Sequence, residues 1–597
     1  MMNAGDMGLL QQALGFLRAG RFGEAGGTLA RLSPGAQQHP DALYLAALAG
    51  EGLGRVADAE QLFQAAISRA PGNAGYWNSY ALMLSRQGRG GEAIAALERA
   101  VAAAPGHGEA WLNLALLRQE RGDLAGAAPA LAKAEELAPD APRVLAAVGA
   151  LAQAQGDAVR ARAALSTAVQ KAPGDVQTVV RLAKALGQQG DFAAGLAALG
   201  TADNPDLATL RADLLADSGR MEDAVAAYRA VIARWPEHTG AQTSLAYLLP
   251  QLGQGAAALD GYKAALAGEA PAAVWQAALG AARGAGDGAT LLEWAGAAER
   301  RFGLAPEWRL ARLTALRLLG HFDELLAEVR EEQARFPGEP ALANHRAWAA
   351  LRLGELVEAE TAALNASRMI PLEQTSWGLL SIIWRLKNDP REDWLIDYSK
   401  LVMTDDLVVP RGWASRTAFL GDLKSVLEQR HVMLNAPPEQ TLRGGTQTRG
   451  ELFATTDPVL IAFREALRAT VEACLSGLSH QPGHPFLGRL TGKVKLAGSW
   501  SVRLQGQGFH VNHIHPQGWL SSAFYVALPP EVGVDGDAGK LTFGVPDAGL
   551  GLDLPPRRIV TPVPGRLAIF PSYAWHGTVP FESASPRLTA AFDALPV

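Results

Sequence analysis

The sequence predicts a multidomain protein in which an all-α helical solenoid is followed by an α+β domain with a core of antiparallel strands. Two observations carry this prediction. Glycine recurs every 34 residues through the first part of the chain, and after about residue 500 short alternating runs broken by Gly and Pro replace the helical pattern. A third observation concerns function: four of the 12 histidines lie within the final hundred residues.

Composition limits the classes of protein that need to be considered. A chain of 597 residues is too long for one hydrophobic core, and its apolar content of 48% excludes a mainly disordered polymer. The 54 basic and 60 acidic residues give a net charge of -6 without a long basic run, so we expect neither nucleic acid nor an anionic membrane as partner.

Cysteine use and the absence of long apolar runs point to the cytoplasm. The single cysteine, Cys474, excludes a disulfide within the chain and a thiolate metal cluster, so the fold needs no oxidising compartment. The N-terminal segment does not have the cationic start and apolar core of a signal peptide, and no stretch of about twenty apolar residues follows. We therefore expect a cytoplasmic protein without a membrane span.

The repeating unit of the first part is a helix hairpin. Each glycine of the series follows an apolar-periodic helical segment, where a left-handed residue ends a helix without steric cost. Each proline of a second series follows the second helix of a pair and blocks its continuation. The glycines are Gly54, Gly88, Gly122, Gly156 and Gly190, and the prolines are Pro71, Pro105, Pro139 and Pro173.

Small and large residues recur at the positions where two helices must interlock. One unit contains Trp77, Tyr80, Ala81, Ala93, Leu97, Ala100 and Pro105, and the next contains Trp111, Leu114, Ala115, Ala127, Leu131, Ala134 and Pro139. This pattern resembles the tetratricopeptide repeat. The phase slips after Gly190 and resumes at Gly219 and Gly253, then at Gly320 and Gly354, which predicts a solenoid over residues 1–390. The resemblance implies a concave surface that binds a protein or peptide.

Residues 391–597 are predicted to form the α+β domain. Its strands are read from WSVRLQ, SSAFYVALP, KLTFGVP, RLAIFPS and RLTAAFDALP. The segment DPVLIAFREALRATVEACLSGL is predicted to be a helix that supports one sheet face. The segment LRGGTQTRG suits a surface turn, with a contact at the rim of a substrate site as the alternative.

The clustered histidines predict a metal site. In FHVNHIHPQGW, His513 and His515 are two residues apart, so on an extended strand both imidazoles leave from one face. His576, just past a later strand, can supply a third ligand, and three facial ligands leave open positions on an octahedral iron. If the strand is regular, alternation puts His510 and Asn512 on the face opposite His513, where they would contact the ligands or the substrate and would not bind the metal. A bulge in the strand would change this placement.

Two other ligand sets are compatible with the same residues. One is a site of two histidines completed by water. The other uses His510 as a ligand with Asn512 nearby. The sequence also leaves open whether the metal is iron, manganese or zinc.

Arg587 and Thr589 predict a carboxylate-binding site. Their spacing of two puts a guanidinium and a hydroxyl on one face of a strand. An arginine that points into a barrel is costly unless it meets an anion, and its fork matches a carboxylate through two hydrogen bonds.

These motifs together resemble the double-stranded β-helix, or jelly roll, of the 2-oxoglutarate/iron(II) oxygenases. The likeness is carried by GTQT, GSWSVRL, FHVNHIHPQGWLSSAFYVALP, LTFGVP, PGRLAIFPSYAWHGTVPF and RLTAAFD, and it is narrower with a bacterial group that joins tetratricopeptide repeats to such a domain. It implies Fe(II) as cofactor, with 2-oxoglutarate, bound by Arg587 and Thr589, and dioxygen as co-substrates. The family pattern has Asp or Glu where this chain has His515, which implies a three-histidine iron site. Arg503, Trp519, Ser522 and Tyr525 are further candidate pocket residues.

The function implied by the resemblance is a dioxygenase that hydroxylates a protein or peptide recruited by the repeats. Aspartyl/asparaginyl β-hydroxylases similarly lack the carboxylate ligand. The alternative is a repeat scaffold with a catalytically inactive metal-binding barrel. A third hypothesis, a cupin-like three-histidine metalloprotein that does not use 2-oxoglutarate, does not account for Arg587.

Overall fold

The chain forms two compact units, Met1–Ala185 and Leu186–Val597. The structure, a computed structural model, describes residues 3–200, 203–438, 440–533 and 536–597. No helix among these residues is both long enough and apolar enough to cross a bilayer.

The first unit is a stack of antiparallel helix pairs. Gly54 and Gly88 end helices with φ of 75° each, a left-handed conformation that confirms the predicted breaks. Ala81 and Ala93 are fully buried where paired helices meet, because only a methyl group fits such close contacts. The helices are α1 Ala4–Arg18, α2 Phe22–Leu29, α3 Pro34–Gln37, α4 Pro40–Gly52, α5 Val56–Arg69, α6 Ala74–Arg86, α7 Gly90–Ala103, α8 Gly108–Glu120, α9 Leu124–Leu137, α10 Pro142–Gln155 and α11 Ala158–Lys171, with α12 Val176–Gln188 spanning the division between the units.

The second unit continues the helical repeat and adds the strands. Gly219, Gly253, Gly320 and Gly354 again have positive φ, so the predicted resumption of the repeat after Gly190 is confirmed. The repeat helices are α13 Phe192–Leu199, α14 Pro205–Asp217, α15 Met221–Arg234, α16 Thr239–Gln251, α17 Asp260–Leu266, α18 Ala272–Gly284, α19 Gly288–Phe302, α20 Pro306–Leu319, α21 Phe322–Arg335, α22 Pro340–Arg352, α23 Leu356–Met369 and α24 Thr375–Leu386. They are followed by α25 Arg391–Leu395, α26 Tyr398–Leu401, α27 Arg416–Glu428 and α28 Pro458–Ser476.

The strands form two antiparallel sheets, as expected for a double-stranded β-helix. They are β1 Met403–Asp406, β2 Leu442–Gln447, β3 Val494–His510, β4 Leu520–Ala527, β5 Leu541–Phe543, β6 Arg558–Val560, β7 Arg566–Pro571, β8 His576–Thr578 and β9 Ser583–Pro596. The larger sheet has the order β1-β7-β4-β9-β3-β2 and the smaller one β6-β5-β8. All five predicted strands are present, in β3, β4, β5, β7 and β9.

The prediction of a surface turn at LRGGTQTRG was wrong, because this segment contains strand β2. β2 pairs with β3 through a register shift between Arg443 and Gly445. A Cβ on Gly445 would lie 2.4 Å from the Arg503 carbonyl oxygen, so glycine is needed for close approach of the two backbones. The glycines that suggested a turn instead permit a β-bulge.

Helix α28 packs on the larger sheet as predicted. The ring centroids of Phe463 in α28 and Phe524 in β4 are 4.8 Å apart, and both side chains are fully buried. This packing leaves the opposite face of the sheet free to line a cavity.

The last repeat helices and the strands share one hydrophobic core, which extends from Leu313 to Ala594. Arg385 of α24 donates hydrogen bonds of 2.7 Å to the carbonyl oxygens of Gly544 and Pro555. Trp575 Nε1 donates one of 2.7 Å to the Gly378 carbonyl oxygen. The predicted boundary near residue 390 therefore coincides with a change in secondary structure within one core, and a division into domains there stays a prediction.

A second connection joins helices α14–α16 to the edge of the sheet. Met433 packs into the core of these helices, and the Asn435 amide donates to the Gln251 carbonyl oxygen at 3.0 Å. After β2, Arg449 Nε donates to Asp217 Oδ1 at 2.6 Å. The segment 433–449 is thus held at both ends by repeat helices.

His431 links β2 and β3 on the face that points away from the cavity. Its ring nitrogens lie 2.9 Å from Thr446 Oγ1 and 3.1 Å from Ser501 Oγ. Burial, and then the charge of Arg503, lower the pKa of His431 from 6.5 to about 4. Between these values the unfolded chain binds a proton that the folded protein excludes, so stability falls as pH decreases.

We expect the contribution of His431 to stability to be about 2 kcal/mol smaller at pH 5 than at pH 7. The measurement is urea unfolding, followed by tryptophan fluorescence, of wild type and His431→Gln at both pH values. Other histidines titrate alike in the two proteins, so the difference between them isolates His431. An equal difference at both pH values would contradict the pKa assignment.

Candidate metal centre

The two sheets enclose a cavity of about 360 Å³. Its apolar wall includes Val502 and Leu504 of β3, Leu541 of β5, Phe570 of β7 and Ala591 of β9. Polar side chains are concentrated at one region of this wall, where His513, His515 and His576 meet.

These three histidines lie close enough together that they could hold a single metal ion. One nitrogen from each ring lies within 4.8 Å of those of the other two, and the Nε2 atoms of His513 and His515 are 3.2 Å apart. Neighbouring imidazole ligands about 2.1 Å from a metal ion, as in zinc sites, are separated by about 3 Å. The rings therefore need little adjustment to bind a first-row transition metal.

The backbone fixes which nitrogen of His513 and His576 can bind metal. His513 Nδ1 donates to the Val511 carbonyl oxygen at 2.8 Å, and His576 Nδ1 donates to that of Ala574 at 2.9 Å. Because a carbonyl only accepts, each ring carries its proton on Nδ1 and keeps the Nε2 lone pair for a metal. Burial lowers the pKa of both rings well below 6.5, so both are neutral at physiological pH.

His515 has a different partner, a carboxylate. Its Nδ1 donates to Asp593 Oδ1 at 2.6 Å, and the same oxygen accepts from Ser521 Oγ at 2.7 Å. Ser521 and Asp593 lie directly opposite each other on β4 and β9. The His515 Nε2 atom is thus also left free to face the cavity.

The two histidines of the His-x-His pair do not lie in a continuous strand, contrary to the expectation. β3 ends at His510, and His513 forms only an isolated bridge with His576. His513 and His576 exchange backbone hydrogen bonds of 2.9 and 3.0 Å, and the His515 amide donates to the Ser572 carbonyl oxygen at 2.9 Å. These bonds keep the segment extended, so the predicted convergence of the two rings is present.

His510 lies beside the three histidines and Asn512 lies behind them. His510 lines the cavity, and its ring centroid is 6.0 Å from that of His513. Thr441 Oγ1 lies 3.2 Å from His510 Nδ1 and 3.4 Å from His513 Nε2. A Cβ on Gly577 would lie 2.3 Å from Asn512 Oδ1, so the Asn512 side chain packs against the β8 backbone.

Arg587 is a buried cation in the same cavity. It is 3% exposed, and its Nη1 donates to the Gly539 carbonyl oxygen at 2.9 Å, while Nε has no hydrogen-bond partner among the described residues. Its guanidinium carbon is 5.3 Å from the ring centroid of Tyr525, whose buried hydroxyl also lacks a hydrogen-bond partner within the described part of the chain. Burial lowers the pKa of Arg587, and the neighbouring Tyr525 hydroxyl offsets part of this effect.

These observations fit a dicarboxylate bound between the histidines and Arg587. Thr589, two residues along β9, lines the cavity beside Arg587, and its Oγ1 lies 3.4 Å from the Val502 carbonyl oxygen. Donors that are buried without partners are expensive unless a ligand satisfies them. The set of three imidazoles likewise suits a divalent first-row metal such as Fe(II).

The other predicted pocket residues are divided between the cavity and its surroundings. Ser522 lines the cavity, and its Oγ donates to the Phe592 carbonyl oxygen. Trp519 stacks on Phe486 with ring centroids 4.7 Å apart, outside the cavity lining. Arg503 is on the outer face of β3, since the alternation that turns Val502 and Leu504 inward turns Arg503 outward.

Sequence reasoning missed several residues of the site. Asp593 was contained in the motif RLTAAFD, and its spacing of four from Thr589 on a strand puts it on the same face. Trp500 lies two residues before Val502, so the same alternation puts both side chains on the cavity face of β3. Thr441 and Gln447 had no such signal, because their placement depends on the pairing of β2 with β3.

Comparisons with known proteins match two parts of the chain to family models. Residues 498–593 match the family described as "Putative 2OG-Fe(II) oxygenase". Residues 10–74, 81–142 and 209–274 match the tetratricopeptide repeat. The chain therefore combines tetratricopeptide repeats with a domain of the 2-oxoglutarate/Fe(II) oxygenase class, whose members use Fe(II) and 2-oxoglutarate. No curated protein matched.

Solved structures that match the chain include three repeat proteins. A tetratricopeptide repeat protein from Parabacteroides merdae ATCC 43184 is 16% identical over 39% of this chain and 93% of its own, with a TM-score of 0.31. A thermophilic repeat protein from Thermus thermophilus is 26% identical over 30% and 98%, with a TM-score of 0.27. Pseudomonas aeruginosa pilF is 19% identical over 40% and 95%, with a TM-score of 0.29.

Proposed function

We propose that the chain is a 2-oxoglutarate- and Fe(II)-dependent dioxygenase that hydroxylates a protein or peptide recruited by its repeats. The observation that carries the proposal is the meeting of three histidines and a buried arginine, which has no anionic partner among the described residues, in one cavity of the domain that matches the oxygenase family. Each group alone is common in proteins, but together they provide a metal site and a carboxylate site within one small volume.

In the proposed reaction His513, His515 and His576 hold Fe(II) through Nε2. Arg587 and Thr589, with Tyr525 beside them, bind the distal carboxylate of 2-oxoglutarate and thereby orient its other end toward the histidines. Bound Fe(II) would supply the oxidising chemistry, in which dioxygen, 2-oxoglutarate and a C–H group of the substrate are converted to succinate, carbon dioxide and the hydroxylated substrate. The apolar wall around Val502, Leu541 and Phe570 keeps water away from the reacting groups.

The choice of a polypeptide substrate is supported by the side chains around the cavity. Gln440, Gln447 and Gln517 line it at half-buried or exposed positions, together with Trp500. Amide side chains can both donate to and accept from a peptide backbone, and an indole offers a large apolar contact at low entropic cost. These side chains therefore suit an uncharged peptide backbone better than a small charged metabolite.

The repeats support the same choice. The segment 433–449, which contains Gln440 and Gln447, is anchored to helices α14–α16 by Asn435 and Arg449. Helices α14–α16 therefore fix the position of the surface that carries Gln440 and Gln447. A polypeptide bound by these repeats would approach that surface. Repeat solenoids bind extended polypeptides on such surfaces.

We expect iron-loaded protein supplied with 2-oxoglutarate and air to form more succinate when the macromolecular fraction of a cell extract is added than when its small-molecule filtrate is added. A polypeptide that gains the mass of one oxygen atom identifies the substrate. Trp500→Ala is expected to reduce the stimulated rate at least about tenfold, the loss of one large aromatic contact.

The matched control is Gln505→Ala, an exposed position on the same strand outside the cavity lining. Stimulation by the filtrate alone would replace the polypeptide with a small metabolite as substrate. Absence of turnover in iron-loaded wild type with either fraction would favour the alternative, a repeat scaffold with an inactive barrel.

A further inference from the structure

The metal site has one acidic side chain near it, and this side chain is not placed as a ligand. Asp593 is the single acidic residue among the described residues that line the cavity. It contacts only one of the three histidines, His515, whereas His513 and His576 donate to backbone carbonyls. The carboxylate therefore distinguishes His515 from the other two.

In the resemblance to the 2-oxoglutarate/Fe(II) oxygenases, His515 stands where the family pattern has Asp or Glu. Three neutral imidazoles give a metal ion no negative charge to offset its own. A carboxylate that accepts from the far nitrogen of an imidazole makes that ring a more basic ligand and transfers part of its charge toward the metal.

We infer that Asp593, acting through His515, supplies the negative charge that the replaced carboxylate ligand would have given to the metal. The inference rests on the proposed function, since it takes the histidines as metal ligands. It makes Asp593 a positioning and charge-donating residue, which acts on the metal without touching it.

The surroundings of Asp593 keep it directed at His515. Ser521 Oγ donates to the same Oδ1 atom and is in turn 2.8 Å from Ser572 Oγ. A Cβ on Gly518 would lie 2.2 Å from Ser572 Oγ and 3.6 Å from Asp593 Cγ, so this group of side chains leaves no room for one. The ring of Trp500 lies 5.9 Å from that of His515. Asp593 and His515 are thus held in one arrangement.

The test is the affinity of the protein for Fe(II) alone, measured anaerobically by competition with a chelator, without 2-oxoglutarate or turnover. Asp593→Asn keeps the size of the side chain and an acceptor oxygen but removes the charge. We expect it to weaken Fe(II) binding about 10- to 100-fold, the usual effect of losing such an outer partner. Ser521→Ala, which removes the hydrogen bonds of Ser521 to Asp593 and Ser572 but no charge, should cost no more than about fivefold.

A second pair of variants separates charge from structural support. In His515→Asp the ligand itself carries the charge, so adding Asp593→Asn should leave Fe(II) affinity unchanged or improve it. The reduction potential of bound iron provides an independent readout, and it should rise in Asp593→Asn because loss of a negative charge disfavours the ferric form.

The outcomes distinguish the inference from the function on which it rests. If wild type and Asp593→Asn bind Fe(II) with the same affinity and the same reduction potential, the inference is overturned but the proposed function is not. An equal loss on adding Asp593→Asn to wild type and to His515→Asp would also overturn it, since Asp593 would then be structural support. Wild type that does not bind Fe(II) would overturn the proposed function and the inference together.

Discussion

Replacing His513 or His576 with alanine is expected to abolish Fe(II) binding and, with it, succinate formation. Each substitution removes one of the three proposed ligands, which each bring a ring nitrogen within 4.8 Å of the others. Hydrogen bonds from Nδ1 to backbone carbonyls leave Nε2 of His513 and His576 available for the metal. We expect Fe(II) affinity to fall more than about a hundredfold, a larger loss than that expected for Asp593→Asn, because Asp593 contacts a proposed ligand and not the metal. Anaerobic competition against a chelator measures it.

His510→Gln is the matched control for these variants. His510 lines the same cavity, and burial lowers its pKa from 6.5 to about 3, so it too is a neutral imidazole. Since it lies outside the group of three converging rings, its loss should leave Fe(II) affinity nearly unchanged. A loss as large as that of His513→Ala would instead support the ligand set that includes His510.

Replacing Arg587 with methionine is expected to raise the KM for 2-oxoglutarate about 30- to 5,000-fold. The estimate corresponds to the roughly 2–5 kcal/mol that truncation of one partner of a buried charge pair costs. Arg587→Lys keeps the charge but not the two-pronged geometry and should have an intermediate KM. Steady-state kinetics at saturating iron measure both.

In the absence of 2-oxoglutarate, the Arg587→Met substitution should stabilise the folded protein. Because the Arg587 charge is buried without an anion among the described residues, Arg587→Met should raise the free energy of unfolding by about 1–3 kcal/mol. Arg503→Met provides the control, since Arg503 also has an unpartnered Nε but points to the outer face of β3. An Arg503→Met variant with an equally raised KM would contradict the assignment of Arg587.

Much of this fold could be predicted because its signals are local. The glycine that ends a repeat helix must adopt positive φ wherever the helix lies, so the spacing of Gly54 and Gly88 was sufficient to predict the solenoid. Alternation similarly predicted that Arg587 and Thr589 would share a face. The glycine-rich segment of β2 was misread, because its conformation depends on close backbone approach to β3, a contact between distant parts of the chain.

The candidate site shows the same limit. The convergence of His513 and His515 was predicted from an incorrect premise, since hydrogen bonds to His576 and Ser572, rather than membership of β3, keep the segment extended. Asp593 was overlooked because its role depends on a distance of 2.6 Å to His515, 78 positions earlier in the chain. Local patterns identify candidate ligands, whereas the partners that orient them come from tertiary structure.

The most direct test of the central claim is succinate formation by wild-type protein loaded anaerobically with Fe(II) and then given 2-oxoglutarate and air. We predict turnover that requires both iron and 2-oxoglutarate, that is lost in His513→Ala and His576→Ala, and that Arg587→Met restricts to high 2-oxoglutarate concentrations. Wild type with confirmed iron occupancy that forms no succinate, even with the macromolecular fraction of a cell extract, would contradict the claim that this barrel is an oxygenase.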